Sequence, residues 1–261
     1  MSIRKFNSVL LGAWLAVVPA LASHAETATP QSVGLSADRL QRVHELVERT
    51  MAAGEISGAV TLVARNGQVA YLEAQGVMDL ASKKPMQPDS MFRMASMSKP
   101  VAAVAILMLA EEGKVRLNDP VSRFIPAYAN LEVGIAKPVP PGPAPAAQAG
   151  PGGAPPAFYK APAERQITVL DLLTHTSGFM SGPMGNSVAN AAFNKRHELG
   201  LKWVEELGPS PLEFQPGTRW AYSAVAGFDA LAHIVEVAAG QEYSAFLRER
   251  LFGPLGMRDV T

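Results

Sequence analysis

The sequence of 261 residues contains no cysteine. It therefore has no disulfide bonds, no thiolate metal ligands and no cysteine nucleophile, and its stability must come from a packed core. Only 18% of the residues are charged, with 23 basic and 23 acidic side chains. This balance argues against nucleic acid as a partner, because nucleic-acid-binding domains need a basic surface. The hydrophobic content of 48% is that of ordinary globular chains with one large domain or two modest ones.

A hydrophobic run long enough to span a membrane is also absent from the sequence. The N-terminus instead has two basic residues, a short apolar segment over 9–22 that is interrupted by Gly12 and Pro19, and small side chains over 23–25. This order is typical of a cleaved secretory signal peptide. We therefore predict a signal peptide over 1–25, a periplasmic or secreted location, and no transmembrane segment in the mature chain.

Two hydrophobic patterns predict the first structural elements. Apolar residues at helical spacing indicate an amphipathic helix that begins at the candidate N-cap Ser36 and ends before Gly54. The next segment, GAVTLVARNGQVAYLEAQG, alternates in hydrophobicity on both sides of Asn66-Gly67, a pair that suits a two-residue hairpin turn. We predict antiparallel strands over 57–65 and 68–76.

The run from Ser96 to Glu112 is apolar on almost all sides and predicts a buried helix. Pro100 restricts where this helix begins, because proline is tolerated only in the first helical turn. Ser96 should therefore lie at or just before the helix N-terminus. Further helices are predicted near Thr168, which has a capping partner in Asp171, and over 224–239 and 243–252.

The segment over 137–163, KPVPPGPAPAAQAGPGGAPPAFYKAPA, is rich in proline, glycine and alanine and poor in large apolar side chains. Such a segment buries too little apolar surface to offset the entropy lost on ordering. We predict a mobile surface insert here rather than a domain boundary.

A serine and a lysine stand three residues apart in Ser96-Met97-Ser98-Lys99. This spacing places their side chains on one helix face, and the helix N-terminus can stabilise an oxyanion near the serine. A buried lysine with a lowered pKa could accept or relay the hydroxyl proton. The pattern has low specificity, since residues 2–5 fit it as well, and the alternative is a solvated lysine at a helix start.

The histidines offer no competing catalytic arrangement. No G-x-S-x-G nucleophile elbow occurs in the sequence, and His175 in THTSG is interpreted as a structural, hydrogen-bonding residue. His44, His197 and His233 do not have the spacing of metal ligands. We therefore predict neither a metal nor a cofactor.

Five ordered segments resemble the serine β-lactamase-like hydrolases: SMSK with its apolar helix, EEGKVRLNDPVSRFIP, ITVLDLLTHTSG, PGTRWAYS and ERLFGPLGM. This superfamily includes class C β-lactamases, D-Ala-D-Ala carboxypeptidases and β-lactamase-related carboxylesterases. The resemblance covers nearly all of 36–257 apart from the insert. It implies an α/β (α+β) fold, in which an antiparallel sheet flanked by helices is joined to a mostly helical subdomain.

The resemblance also implies roles for three residues. Ser96 would be the acyl-accepting nucleophile, Lys99 its proton partner, and Tyr222 the tyrosine of the family's Tyr-x-Asn element, acting with Lys99 in proton transfer. Which group is the base remains open, but a phenol beside an ammonium should have a lowered pKa. Ala224 stands where the β-lactamases have asparagine, so an amide contact to the substrate is lost. This favours small-molecule esters over β-lactams or D-alanyl peptides.

Relatives continue beyond the PLGM segment with further sheet strands and a third motif, Lys-Thr-Gly or His/Trp-x-Gly, which this sequence does not contain. We therefore expect a C-terminally truncated member whose hairpin at 57–76 keeps an unpaired edge and uncovered apolar faces. Such a chain is expected to hydrolyse short-chain esters poorly or not at all by itself. The alternative is a non-catalytic envelope protein that retains the pocket for binding. The oligomeric state is left open.

Overall fold

The computed structural model describes residues 28–138 and 155–260. The chain divides into two compact units, Met1–Met91 and Phe92–Thr261. The signal peptide predicted over 1–25 lies outside the described residues, as does most of the predicted insert. Among the described residues, no helix has the length and apolarity needed to cross a bilayer.

In the described part of the first unit, a short 3-10 helix (Gln31–Val33) precedes helix α1 (Ala37–Ala52). Its N-cap is Ser36, whose side chain accepts a hydrogen bond from the backbone N–H of Arg39, as the sequence predicts. The helix packs on the strands that follow it, and His44 Nδ1 lies 2.8 Å from a carboxylate oxygen of Glu73 on the second of these strands. The amphipathic helix therefore packs on strands of the same unit.

Strands β1 (Gly58–Arg65) and β2 (Gln68–Gly76) form the predicted antiparallel hairpin. Asn66 and Gly67 both have positive φ, as a two-residue turn between twisted strands requires. Within the described part of the chain these strands form a two-stranded sheet. Leu62 and Leu72 face each other across it and are each about half-exposed, so the uncovered apolar surface expected for this hairpin is present.

The second unit is mostly helical. Its α-helices are α2 (Lys99–Glu111), α3 (Val169–Leu173), α4 (Pro183–Asn194), α5 (Arg196–Leu199), α6 (Ala226–Ala239) and α7 (Tyr243–Leu247). A π-helical turn over Arg248–Phe252 continues α7. The helix predicted over 243–252 is therefore confirmed, but its second half is π-helical rather than α-helical. The helix predicted over 224–239 begins two residues later than predicted and ends, as expected, at Gly240, which adopts the left-handed conformation.

Helix α2 has Pro100 in its first turn, as predicted. The prediction of a buried helix is confirmed for one face of α2 and wrong for the other. Ile106 and Leu109 are fully buried, whereas Val104 and Leu107 are 40% and 48% exposed. A helix that is apolar on every side carries no signal for which face meets the core, and here only one face does.

The second unit also contains a hairpin-like pair of strands that the sequence analysis missed. Strand β3 (Glu132–Ala136) pairs antiparallel with β4 (Phe158–Pro162). Because β4 lies inside the predicted insert over 137–163, that prediction is wrong for these residues. Backbone hydrogen bonds to β3 hold Phe158–Pro162 in a strand, and composition alone does not reveal such bonds.

The core of the second unit holds α2 and α6 side by side. Two buried aromatic residues reinforce it through their polar ends: the Tyr128 hydroxyl donates to the carbonyl of Val204 at 2.8 Å, and the Trp203 indole N–H donates to Asp229 at 3.0 Å. Asp229 belongs to α6. This packing places the N-terminus of α2 close to the segment that leads into α6, which is where the candidate site forms.

Candidate active site

Ser96 lies in a single 3-10 turn, Ala95–Ser98, directly before α2. This is the position that Pro100 predicts for it. The preceding residue, Ala95, has a φ of +45°, an unfavourable conformation for a side-chain-bearing residue. The turn leaves the Ser96 side chain exposed at the helix N-terminus, where a reacting group can reach it.

Lys99 is the first residue of α2 and is held by two oxygen atoms. Its Nζ lies 3.2 Å from Ser96 Oγ and donates to the backbone carbonyl of Ala224 at 2.7 Å. The same Nζ lies 4.9 Å from the ring centroid of Tyr222 and 5.5 Å from that of Phe228. Lys99 is half-buried, whereas the sequence predicts a buried lysine. Its two hydrogen bonds nevertheless hold the amine in one position.

The hydroxyl of Tyr222 lies 2.7 Å from Ser96 Oγ. Hydrogen bonding lowers the pKa of the Tyr222 phenol below its ordinary value of 10.0, with Lys99 as the larger cause and Ser96 as the next. This is the direction expected for a phenol beside an ammonium. Ser96, Lys99 and Tyr222, the three residues singled out in the sequence, therefore meet at one point of the structure.

The loop after α3 is the third part of this region, and Asp171 anchors it. The buried Asp171 carboxylate accepts hydrogen bonds from Arg165, from the backbone and side chain of Thr168, and from the Thr176 hydroxyl. Burial raises the pKa of this carboxyl, but the hydrogen bonds from Arg165 and Thr168 outweigh burial and lower it to about 2. The capping box between Thr168 and Asp171 confirms the predicted helix start.

Three contacts in the site were not predicted from the sequence. The backbone carbonyl of Ala224 binds Lys99, so this position acts through its main chain although its side chain lacks an amide. Phe228 lies beneath the amine. His175 is the hydrogen-bonding residue that the sequence analysis inferred, because its Nδ1 accepts the Ser223 N–H at 3.2 Å, but its contact with the Tyr222 ring was not foreseen. No sequence signal marks a backbone carbonyl or a ring contact.

The chain matches the family model described as Beta-lactamase over residues 43–261. Esterase EstB of Burkholderia gladioli is 30% identical over 88% of this chain and 53% of its own length. Lovastatin esterase of Penicillium rubens is 33% identical over 79% of this chain and 49% of its own. The solved structure of EstCE1, a hydrolase with promiscuous acyltransferase activity, shares 27% identity at a TM-score of 0.61, covering 88% of this chain and 53% of that one.

These matches, together with the fold and the site, place the chain in the beta-lactamase family, and the expected fold class is confirmed. Two of these relatives are named esterases, and the third is named a hydrolase. The chain spans about half the length of the relatives it matches.

Proposed function

We propose that this chain is an exported serine hydrolase that acts on small-molecule esters through an acyl-enzyme on Ser96. The observation that carries the proposal is the convergence of Lys99 Nζ and the Tyr222 hydroxyl on Ser96 Oγ, at 3.2 and 2.7 Å. A hydroxyl flanked by an amine and a phenol has both a partner to take its proton and a partner to stabilise the resulting charges.

In the proposed first step Tyr222 is a phenolate, a form that its lowered pKa makes more accessible and that Lys99 stabilises. Ser96 Oγ bonds to the ester carbonyl carbon as its proton moves to the phenolate oxygen, and the carbonyl electron pair moves onto the carbonyl oxygen. Lys99 is the less favoured acceptor, because it already donates to the Ala224 carbonyl. The C–O bond to the alcohol then breaks, and the alcohol leaves with that proton. Water next attacks the acyl group, and Ser96 regains its hydroxyl proton as the acid is released.

Esters are favoured as substrates by two observations. Ala224 cannot offer the side-chain amide that would contact a substrate amide. Two of the similar proteins are named esterases, one for lovastatin, and a third is named a hydrolase with acyltransferase activity. Hydrolysis of a β-lactam or a D-alanyl peptide is the second choice of reaction, and the family description supports the β-lactam.

Mass labelling tests the proposal directly. The purified full chain would be treated in parallel with a fluorophosphonate probe and a labelled penicillin, and the modified residue located by peptide mass spectrometry. We expect the fluorophosphonate to label Ser96, with labelling abolished in Ser96→Ala and retained in Ser98→Ala, a neighbouring exposed serine. Labelling by penicillin would redirect the proposal to lactam substrates. No labelling by either probe would contradict the enzymatic proposal and favour a non-catalytic binding protein.

Export is a separate part of the proposal. It is supported by the basic, apolar and small-residue order of the first 25 residues. Expression of the full sequence in a bacterial host, followed by fractionation and N-terminal sequencing, should give a periplasmic product that begins at Glu26. A product that keeps Met1 and stays in the cytoplasm would refute export without affecting the proposed chemistry.

A further inference from the structure

His175 holds the two backbone positions on either side of Tyr222. Its carbonyl oxygen accepts the N–H of Ala221 at 3.0 Å, and its ring Nδ1 accepts the N–H of Ser223 at 3.2 Å. Tyr222 is thus attached to a single residue of the preceding loop through both of its neighbours. Backbone bonds at consecutive flanking positions restrict the direction in which the intervening side chain leaves the chain.

The His175 ring also packs on the aromatic side chains of the site. Its centroid lies 4.7 Å from that of Tyr222 at an interplanar angle of 45°, and 5.3 Å from that of Phe228. Phe228 in turn lies below the Lys99 amine. The histidine therefore contacts the phenol ring on one side, while Ser96 meets its hydroxyl.

His175 is itself held in a defined conformation. Its φ is +59°, a left-handed value that few side-chain-bearing residues adopt. The loop keeps this conformation because the His175 N–H donates to the Leu172 carbonyl at 3.3 Å. The next residue, Thr176, donates to Asp171 through both its N–H and its hydroxyl. A rigid support is what a positioning role requires.

The bond to Ser223 also fixes the protonation state of the ring. A backbone N–H can only be donated to Nδ1 if that nitrogen carries no proton, so His175 must be the neutral tautomer protonated at Nε2. Partial burial, and then the nearby Lys99 charge, lower the pKa of His175 below its ordinary value of 6.5. The neutral, accepting form of His175 is therefore retained to a lower pH than in an ordinary histidine.

We infer that His175 is a positioning residue that holds the Tyr222 hydroxyl against Ser96 through its Nδ1 acceptor and its ring. The inference rests on the proposed function insofar as Tyr222 takes part in acylation. It assigns His175 no contact with the substrate and no proton transfer of its own.

Two variants separate the acceptor from the backbone conformation. Asparagine and glycine both tolerate a φ of +59°, and both lack the imidazole ring, but only asparagine has an oxygen close to the position of Nδ1. We expect His175→Asn to be labelled by the fluorophosphonate about tenfold faster or more than His175→Gly, since small displacements of a reacting group have large effects on rate. Equal labelling rates for the two variants would overturn the inference.

A second measurement does not depend on reactivity. In protein carrying ¹³C-labelled tyrosine, the Tyr222 resonance should titrate at a higher pH in His175→Gly than in His175→Asn, because a displaced phenol loses its bonds to Lys99 and Ser96. Identical Tyr222 titrations in the two variants would count against positioning. Thermal unfolding of both variants checks that they are folded.

A third measurement uses the unaltered chain, so it remains decisive if the glycine variant does not fold. Long-range ¹H–¹⁵N correlation spectra at neutral pH should show His175 protonated at Nε2 alone. A proton on Nδ1 would refute the inference. Labelling that persists in Ser96→Ala would refute the proposed function instead, and the tautomer and the Tyr222 titration would still test the role of His175.

Discussion

The Tyr222 hydroxyl lies 2.7 Å from Ser96 Oγ although 126 positions separate the two residues in the sequence. The contact depends on the packing of α2 against α6, since Ser96 directly precedes the first and Tyr222 lies shortly before the second. Lys99 joins the two sides, because it contacts Ser96 and also binds the Ala224 carbonyl.

Replacement of Tyr222 by phenylalanine should slow acylation of Ser96 by about 10²- to 10⁴-fold, the range for loss of a general base or acid. Stability should change little, because the side chain is 42% exposed. Fluorophosphonate labelling rates measured by mass spectrometry provide the test. Tyr159→Phe is the matched control, since Tyr159 is also exposed but lies on β4. Equal rates for the two variants would exclude Tyr222 from proton transfer.

Replacement of Lys99 by methionine should raise the pKa of the Tyr222 phenol towards 10.0, because hydrogen bonding with Lys99 is the main cause that lowers it. In the intact protein the phenolate therefore forms at a lower pH than in the variant. The Tyr222 resonance in ¹³C-tyrosine NMR follows this titration. Lys99→Arg keeps the positive charge and should give an intermediate value. An unchanged midpoint in Lys99→Met would show that the amine does not act on the phenol.

Asp171→Asn should reduce the change in the free energy of unfolding between neutral and acidic pH. In the native protein the pKa of Asp171 is lowered to about 2, so its contribution is fully present above its unfolded value of about 3.9 and is lost as the pH falls towards 2. This contribution corresponds to about 2.5 kcal/mol at pH 7, and about half of it is lost between pH 7 and pH 3. Urea unfolding at these two pH values measures that loss. Asp259→Asn, at an exposed position, is the matched control.

Gly178→Ala should destabilise the loop that carries His175 more than a matched glycine change does elsewhere. Gly178 and Gly113 share a φ of +71°, so both variants incur the same left-handed strain, about 1–2 kcal/mol. At Gly178 the added methyl would also lie 2.8 Å from the Phe214 carbonyl oxygen, whereas at Gly113 it would meet nothing within 4 Å. We expect an additional loss of about 1–3 kcal/mol at Gly178. Comparable unfolding midpoints would show that the loop yields to the added group.

Leu107→Gln should change the free energy of unfolding by less than about 0.5 kcal/mol, because Leu107 is 48% exposed on α2. Leu109→Ala on the same helix should cost about 2–5 kcal/mol, because Leu109 is fully buried. Urea titrations of the two variants make the comparison. A large loss on replacing Leu107 would mean that this face is covered in solution, for example by self-association.

Local sequence rules predict the elements in which neighbouring residues decide the conformation. Ser36 as a cap, Asn66-Gly67 as a turn, Pro100 in a first helical turn and Thr168 with Asp171 as a capping box are all confirmed. Each of these depends on hydrogen bonds or steric limits within a few residues.

Elements that depend on distant partners were predicted less well. Strand β4 forms because its backbone pairs with that of β3. The composition of the surrounding segment does not indicate this pairing. The burial of α2 was overestimated for a related reason: hydrophobicity specifies that a helix can be buried, whereas packing decides which face is.

The sequence by itself determined which groups are available, namely a serine and a lysine one turn apart, a distant tyrosine, and an alanine where an amide would otherwise lie. Only the tertiary structure decided that the tyrosine meets the serine, that the lysine donates to a backbone carbonyl, and that a histidine ring packs against the phenol. The physical reason is the distance along the chain over which each kind of interaction acts. Chain stiffness and hydrogen bonding fix geometry over a few residues, but contacts between distant segments form only when packing of the apolar helix faces brings them together.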